Sequence, residues 1–551
     1  MSILPTSVAY LCLEFGIKSD MKTYCGGLGI LAGDTVKSAA DLGVNMFGVS
    51  ILYKNGWFKQ EISETGEQIE SDDVWKYEDY LMPTHIQHSL LISGQKVTFK
   101  VWKYEVIGVG GHEVPIYFLD ADLPENSPEM REISSHVYPA NKSIRIAQEM
   151  LLGVGGVQVL ELLGHKNIQN YHCNESHSIF AALELKKQLG MWSEVKKRVV
   201  FTTHTPLATA HTHYSKEVLQ STLGEYFSYL PDNLWQNGSM NMTDLALFSA
   251  KLSNGVSKRH NLVTSQMYPE YKIDAITNGI HVNTWVSKPF ESLFSRYVLN
   301  WKSSPENLKL CAVVSPQEIA WAHAEAKENL FDYIQKTQSI KLDKKIFTIG
   351  FARRMVGYKR ADFILTDIDK LEKIAKKFGG LQIIFSGKAY PNEPEGENFI
   401  KNIYQASKKE ESFLKIVYLP NYNIEIGSLI TAGVDIWLNK PVVPIEASGT
   451  SGMKASLNGV PNISTLDGWW VEGWTEGVTG WALGENEMDE GKLASAQLHD
   501  LYFKLEEIIL PMYKNDFESW LKIQKNCIAI NASHFNTNRM LNEYLIKAYL
   551  I

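Results

Sequence analysis

Val434-Asp-Ile-Trp-Leu-Asn439, followed shortly by Glu446-Ala-Ser-Gly-Thr-Ser-Gly-Met-Lys454, decides how the rest of this chain is read. An extended apolar segment ends in a turn of glycine, serine and threonine, and Met453–Leu457 has the composition of a helix start. Strand, tight turn and helix in that order form the building unit of a parallel α/β sheet. Small residues at such a turn let backbone N–H groups face an anion. Lys454, in the first helical turn, adds an amine that can be desolvated and made reactive. An ordinary loop–helix junction with a solvated lysine would have the same residues.

Working outward, β-branched apolar runs alternate with amphipathic stretches. Expected strands are Val44–Leu52, Pro115–Leu119, Arg198–Thr202, Ile346–Phe351, Leu381–Phe385, Ile416–Leu419 and Val434–Leu438. Helical patterns cover Ser176–Leu189, Ala361–Phe378 and Ser428–Ala432. In the second of these, Phe363, Ile364, Ile368, Leu371 and Ile374 line one face against Lys and Asp on the other. This alternation implies parallel sheets covered by helices. The best boundary follows Thr277-Asn278-Gly279, giving domains 1–280 and 281–551, with the last helices packing back on the first domain. Two doubly wound domains facing across a cleft would bind ligands beyond the carboxyl ends of their strands.

Bulk properties restrict the function classes. A chain of 551 residues exceeds one ordinary domain. A net charge of -8 argues against a nucleic-acid or anionic-membrane binder, which needs a basic face. Five scattered cysteines without C-x-x-C spacing fit a reducing compartment and no structural zinc. The first residues lack a basic leader pattern, and Met150–Gly164 is too interrupted to span a bilayer, so a cytoplasmic location is expected.

Several motifs sit at strand ends. Arg353-Arg354-Met-Val-Gly-Tyr358-Lys359-Arg360 follows Ile346–Ala352, and four cations in eight residues need either a bound anion or water. His204-Thr-Pro ends the Arg198–Thr202 run, where a lone histidine is more often packed than functional. His211 and His213 form an H-x-H that would present two rings to one side of a strand, but no third ligand suggests itself, so no metal is expected. Asn174 suits a helix cap, and Asn278-Gly279 suits a turn. Trp469, Trp470, Trp474 and Trp481 could stack on sugars or pack a core. A phosphate cradle beside a buried amine is what pyridoxal 5′-phosphate requires.

Glu446–Trp470 resembles the cofactor segment of the α-glucan phosphorylases (glycogen, starch and maltodextrin enzymes) in its short prokaryotic form. The resemblance runs from Tyr10-Leu-Cys-Leu-Glu-Phe15 to the Trp470 region and implies the two-Rossmann-domain architecture called GT-B. It implies pyridoxal phosphate on Lys454, with Ser448, Gly449 and Thr450 cradling the cofactor phosphate. Arg354 and Lys359 match the phosphate-holding pair, Arg353 and Arg360 being supporting charges. Cys25-Gly26-Gly27-Leu-Gly29 matches the glycine loop that approaches the substrate phosphate through its backbone. His204, Asn278 and Glu446 match glucose contacts, and Asn174 borders the glucan cleft. Ser386-Gly-Lys388 matches a rim loop. The implied partners are an α-1,4-glucan and inorganic phosphate, with a homodimer as the assembly to test. Little precedes Tyr10, so the animal regulatory extension has no counterpart and an unregulated enzyme is expected.

The implied reaction is retaining phosphorolysis to α-glucose 1-phosphate. Two alternatives share the architecture: a nucleotide-sugar-dependent glucan synthase and a catalytically silent glucan-binding protein. The synthases use two carboxylates separated by seven residues, and the second position here is Lys454, eight on from Glu446. A silent protein would have lost some of Lys454, Arg354, Lys359, Glu446 or His204, and all are present.

Overall fold

The computed structural model describes residues 6–409, 412–484 and 490–551. The chain divides into two compact units. The first comprises residues 1–58, 72–281 and 537–551; the second comprises 59–71 and 282–536. The units differ from a single cut at 280 in two places: residues 59–71 belong with the second and 537–551 with the first. The hairpin Lys59–Ile62/Gln68–Ser71 is held by Gln60 Nε2, which donates to the carbonyl oxygen of Gly387 at 3.0 Å. Residues 537–551 belong with the first unit, where Tyr544 Oη meets Thr202 Oγ1 and Tyr549 Oη meets His172 Nδ1.

The first unit is built on nine strands: β1 (Ser7–Leu11), β2 (Asn45–Ile51), β3 (Met82–Ile92), β4 (Gln95–Ile107), β5 (Glu113–Asp120), β6 (Asn170–Asn174), β7 (Val199–Thr202), β8 (Leu252–Gly255) and β9 (Ile273–Ala275). Their order is β9-β8-β7-β6-β1-β2-β5-β4-β3. Seven run parallel, and β3–β4 form an antiparallel hairpin at the edge. The sheet is thus parallel, as expected, apart from this edge hairpin. Ser93 and Gly94, both with positive φ (51° and 73°), make the tight turn that matches the twist of paired strands. Alternation along β1 sends Ala9 and Leu11 into one core and Val8 and Tyr10 into the other, so both faces are covered.

The second unit has six parallel strands: β10 (Thr348–Ala352), β11 (Leu381–Ser386), β12 (Leu414–Leu419), β13 (Ile436–Asn439), β14 (Asn462–Thr465) and β15 (Gly480–Leu483). Their order is β12-β11-β10-β13-β14-β15. Ile349, Ile383 and Ile436 face one core, while Ala352, Ile384 and Trp437 face the other. The crossing between β10 and β13 is the switch point of a doubly wound sheet, which is where such sheets build sites.

Two expected helices are shorter than their apolar pattern. Ser176–Leu189 splits into a 3-10 turn and helix Ala181–Leu189, and Ala361–Phe378 becomes the turn Phe363–Leu365 and helix Ile368–Phe378, capped by Asp367. The cap explains the second start, because Asp367 Oδ1 accepts from Lys370 N at 3.0 Å. Among the described residues no helix is long and apolar enough to cross a membrane.

Candidate functional site

Parallel strands deliver their carboxyl ends to one edge, so residues far apart in sequence meet there. In the second unit, β10 runs into Arg353 and its neighbour β13 ends at Asn439. Arg353 Nη1 donates to Asn439 Oδ1, and Arg353 Nη2 pairs with Glu446 Oε1 at 2.6 Å. Lys359 Nζ reaches Glu446 Oε2 at 3.4 Å. Glu446 is thus gripped at both oxygens, with 5% of its surface exposed. These two cations hold its carboxyl down to about 2 against the opposing effect of burial. Lys359 is pushed the other way, down to about 7, first by burial and then by Arg353, with Glu446 opposing. Arg354 Nη1 donates to Tyr390 Oη.

Sequence reading made Arg353 a supporting charge, and in the structure it pairs with Glu446 and donates to Asn439. A carboxylate has about four lone-pair positions, so Glu446 keeps acceptor capacity for a further O–H. Gly387 explains the Ser386-Gly-Lys388 motif: a Cβ there would lie 1.9 Å from the carbonyl oxygen of Arg353. Lys388 O then accepts from Met355 N at 2.9 Å, bracing the cationic loop.

The turn from Glu446 to Lys454 is held from outside. Asp467 accepts from the backbone N–H of Glu446 and of Gly468 at 2.8 and 2.9 Å, and Trp469 N donates to Ser448 O at 2.9 Å. Gly449 has φ +74°, and a Cβ on it would crowd Glu446 Oε1 at 2.9 Å, so only glycine suits the position. The helix begins at Ser451 and ends at Leu457. Lys454 lies within it, 4% exposed, with Nζ 3.5 Å from the centroid of the Trp285 ring. Asn458 Nδ2 donates to both Lys454 O and Trp285 O, which ties this helix to the segment Val282–Trp285. Ser448 Oγ is buried and has no hydrogen-bond partner among the described residues. A buried hydroxyl without a partner, a glycine-only turn and a buried amine together fit a phosphorylated carbonyl cofactor.

In the first unit, β6 ends at Asn174 and β7 leads to His204. His204 Nε2 meets Asn174 Oδ1 at 2.7 Å, and Asn174 Nδ2 donates to Cys12 Sγ at 3.3 Å. Asn174 therefore holds the histidine and does not cap a helix; the capping residue is its neighbour Glu175. Burial and the nearby His260 and His172 push His204 down to about 3, so the ring is neutral. With Nε2 donating to an amide oxygen, Nδ1 is the acceptor.

Glu175 has a positive φ of 77°. Its carboxylate accepts from Ser176 N, His204 N and Thr205 Oγ1 at 2.8, 2.8 and 3.0 Å. A non-glycine residue held there costs about 1–3 kcal/mol, which three charge-assisted bonds offset. Sequence reasoning missed this role, and no local signal at Glu175 gives it away.

In the glycine loop two backbone donors are already taken. Cys25 and Gly26 N–H donate to Glu14 Oε2 at 2.8 and 3.0 Å, and Tyr138 Oη donates to Glu14 Oε1 at 2.6 Å. Gly26 is thus committed to a carboxylate. Gly27 starts the 16-residue helix Gly27–Leu42, and a Cβ on it would meet nothing within 4 Å. Gly29 packs: a Cβ would lie 2.6 Å from Glu14 Oε2. Asn278 is buried, and its Oδ1, at the carboxyl edge of this sheet, has no partner among the described residues.

The remaining motifs have partners within the fold. His213 starts the short strand His213–Ser215, but His211 lies outside it and bonds Tyr268 Oη. No group of three or more His, Cys, Asp or Glu suited to a metal occurs among the described residues. Trp469, Trp470 and Trp481 are core residues of the second unit, and Trp474 donates to Glu476.

The sequence model of one protein family, described as carbohydrate phosphorylase, matches residues 16–100 and 232–478. A maltodextrin phosphorylase of Thermococcus litoralis is 36% identical over 98% of this chain and 70% of its own length. A glycogen phosphorylase of Aquifex aeolicus is 35% identical over 98% of the chain and 86% of its own length. One from Mycobacterium tuberculosis is 30% identical over 99% of the chain and 71% of its own length.

Proposed function

Because the chain belongs to the carbohydrate phosphorylase family, whose members are pyridoxal-phosphate-dependent glycosyltransferases of GT-B fold, we propose that it is an α-1,4-glucan phosphorylase. It would transfer the non-reducing-end glucose of the glucan to inorganic phosphate with retention, giving α-glucose 1-phosphate. The observation that carries this reading is Lys454 buried under Trp285, in a turn that shares Glu446 with a cluster of cations.

On this reading the second unit binds phosphate and cofactor. Lys454 would attach pyridoxal phosphate, with Ser448 Oγ, Gly449 and Thr450 around the cofactor phosphate. When bound, the cofactor supplies that phosphate as an acid–base partner of the reacting one. Arg354 and Lys359 hold inorganic phosphate, whose negative charge restores the proton that burial strips from Lys359. The reacting phosphate gives its proton to the glycosidic oxygen, the bond to the anomeric carbon breaks, and the same phosphate closes on the same face. Fixed cations opposite developing charge make this mostly a matter of positioning.

The first unit binds the sugar. Neutral His204 accepts a sugar O–H at Nδ1, with Asn174 fixing the ring, and Asn278 Oδ1 accepts another. Gly27 and Gly29 offer N–H groups at the positive end of a long helix. Glu446, a residue of the second unit, spends its remaining lone pairs on glucose hydroxyls. The enzyme would be cytoplasmic and need no metal.

The direct test is glucose 1-phosphate release from maltodextrin and phosphate. Glucan elongation from a nucleotide sugar, with none from glucose 1-phosphate, would refute the proposal. Two variants refine it. Glu446→Gln keeps shape but removes the charge between Arg353 and Lys359, so glucosyl transfer should fall by about one to two decades, roughly 1.5–3 kcal/mol. Unchanged turnover would remove Glu446 from the site. The second concerns pH. The Lys359 amine sits lower in the folded chain than when exposed, so its charge is lost as pH rises through about 7. Phosphate kcat/KM should decline above that pH, and Lys359→Arg should move the decline upward, since guanidinium stays charged. An identical alkaline limb in both proteins assigns it to another group.

A further inference from the structure

Of the four cations in Arg353–Arg360, three have partners in the fold. Arg353 and Lys359 share Glu446, and Arg354 meets Tyr390. Arg360 is half-buried, and its side chain makes no ion pair or hydrogen bond among the described residues. A second such cation stands beside it. Lys440 directly follows β13, whose last residue, Asn439, accepts from Arg353. Val442 N donates to Tyr358 O at 2.7 Å, which ties the segment after Lys440 to the turn that leads into Arg360. Lys440 Nζ lies 4.7 Å from the centroid of the Phe363 ring, and Phe363 N donates to Arg360 O at 3.2 Å. Lys440 is 1% exposed, and its amine has no ion pair or hydrogen bond among the described residues.

Other buried lysines of this unit are not left so. Lys327 has Asp435 at 2.6 Å, and Lys504 has Asp500 at 3.1 Å. Burial, and then Arg360, push the Lys440 amine down to about 7. The Phe363 face offsets part of that cost and supplies no counter-charge. A bound anion would answer both cations at once. We propose that Lys440 and Arg360 hold a second oxyanion, inorganic phosphate, apart from the one held by Arg354 and Lys359. A lysine point charge and the planar fork of an arginine together suit a tetrahedral dianion. The choice of phosphate rests on the glucan-phosphorylase reading; the pairing of the two cations does not. An occupant there cross-links the Arg353–Arg360 loop to the segment leading to Glu446. One phosphate thereby helps to hold in place the residues that bind the other.

Equilibrium dialysis of the purified chain against radiolabelled inorganic phosphate reads this directly. Lys440→Met keeps an apolar stem over Phe363, and Arg360→Asn suits the left-handed φ of 47° at that residue. The parent's phosphate binding should include a component that each of these variants weakens at least about tenfold, the usual effect of losing a charge-assisted contact. Both variants should melt near the parent, and Arg354→Ala should leave that component in place. Binding equal in the parent and either folded variant, or lost as well in Arg354→Ala, would overturn the proposal. Should one of the two variants fail to fold, the other still decides. Glucose 1-phosphate release is assayed separately: the component present in a chain that releases none would refute the enzyme reading and leave the anion site standing.

Discussion

Lys454→Ala should abolish phosphorolysis, by at least about four decades or roughly 5.5 kcal/mol of barrier. The side chain is buried against the Trp285 ring, so solvent cannot readily take its place. Borohydride reduction of the parent protein should fix a pyridoxyl group on the peptide containing Lys454, and the alanine variant should carry none. Lys454→Arg separates attachment from charge. Arginine keeps the cation over Trp285 but forms no covalent link to an aldehyde under these conditions. If the arginine variant turns over like the parent, the lysine serves only as a charge and the cofactor reading falls. If it is as inactive as the alanine variant, yet melts like the parent, covalent attachment is what the position is for.

The second large effect concerns stability. Asp435→Asn should cost about 3–5 kcal/mol, the usual consequence of removing one partner from a buried ion pair. Asp435 is fully buried at the start of β13, where Lys327 Nζ lies 2.6 Å from Oδ2 and His323 Nε2 3.1 Å from Oδ1. Thr348 N donates to the same Oδ2 at 2.7 Å, so one carboxylate ties helix Pro316–Gln338 to the strand that carries Arg353. Lys327 and His323 hold its pKa below the ordinary carboxylate range although burial opposes them. The contribution is therefore present above the unfolded value near 4 and is lost as pH falls through the folded value. Urea midpoints at neutral pH measure it. Asp435→Leu combined with Lys327→Met should recover most of the loss, because an apolar pair leaves no charge behind. Equal destabilisation by the single and double variants would show that the cost comes from packing and not from the stranded ammonium.

Much of the site was legible in sequence because strand ends and small-residue turns are local signals. The strand ends at Arg353–Arg360 and Ser448–Lys454 followed from the alternation of apolar runs, while the roles of their residues came from the resemblance to the α-glucan phosphorylases. Edges were harder. The β3–β4 hairpin turns on Ser93-Gly94, a pair that occurs in many loops, and its pattern is half polar because one face is exposed. Glu14 and Glu175 were invisible as site residues for another reason. Each acts by accepting backbone N–H bonds, and nothing in a carboxylate's neighbours along the chain reveals which N–H groups will reach it.

By itself the sequence determined the parallel α/β class, the order of strands and helices along most of the chain, and which turns could cradle a phosphate, since each depends on periodicity or residue type over a few positions. The tertiary structure alone decided the partners. Arg353 finds Glu446 because β13 lies beside β10 and not beside β12, its predecessor in the chain. Lys454 comes under Trp285 because Asn458 bonds both backbones. The segments 59–71 and 537–551 pack in the unit where their side chains find partners, whichever side of a boundary they fall on. Strand order and long-range hydrogen bonds are set by the burial of whole faces, which no short window of sequence contains.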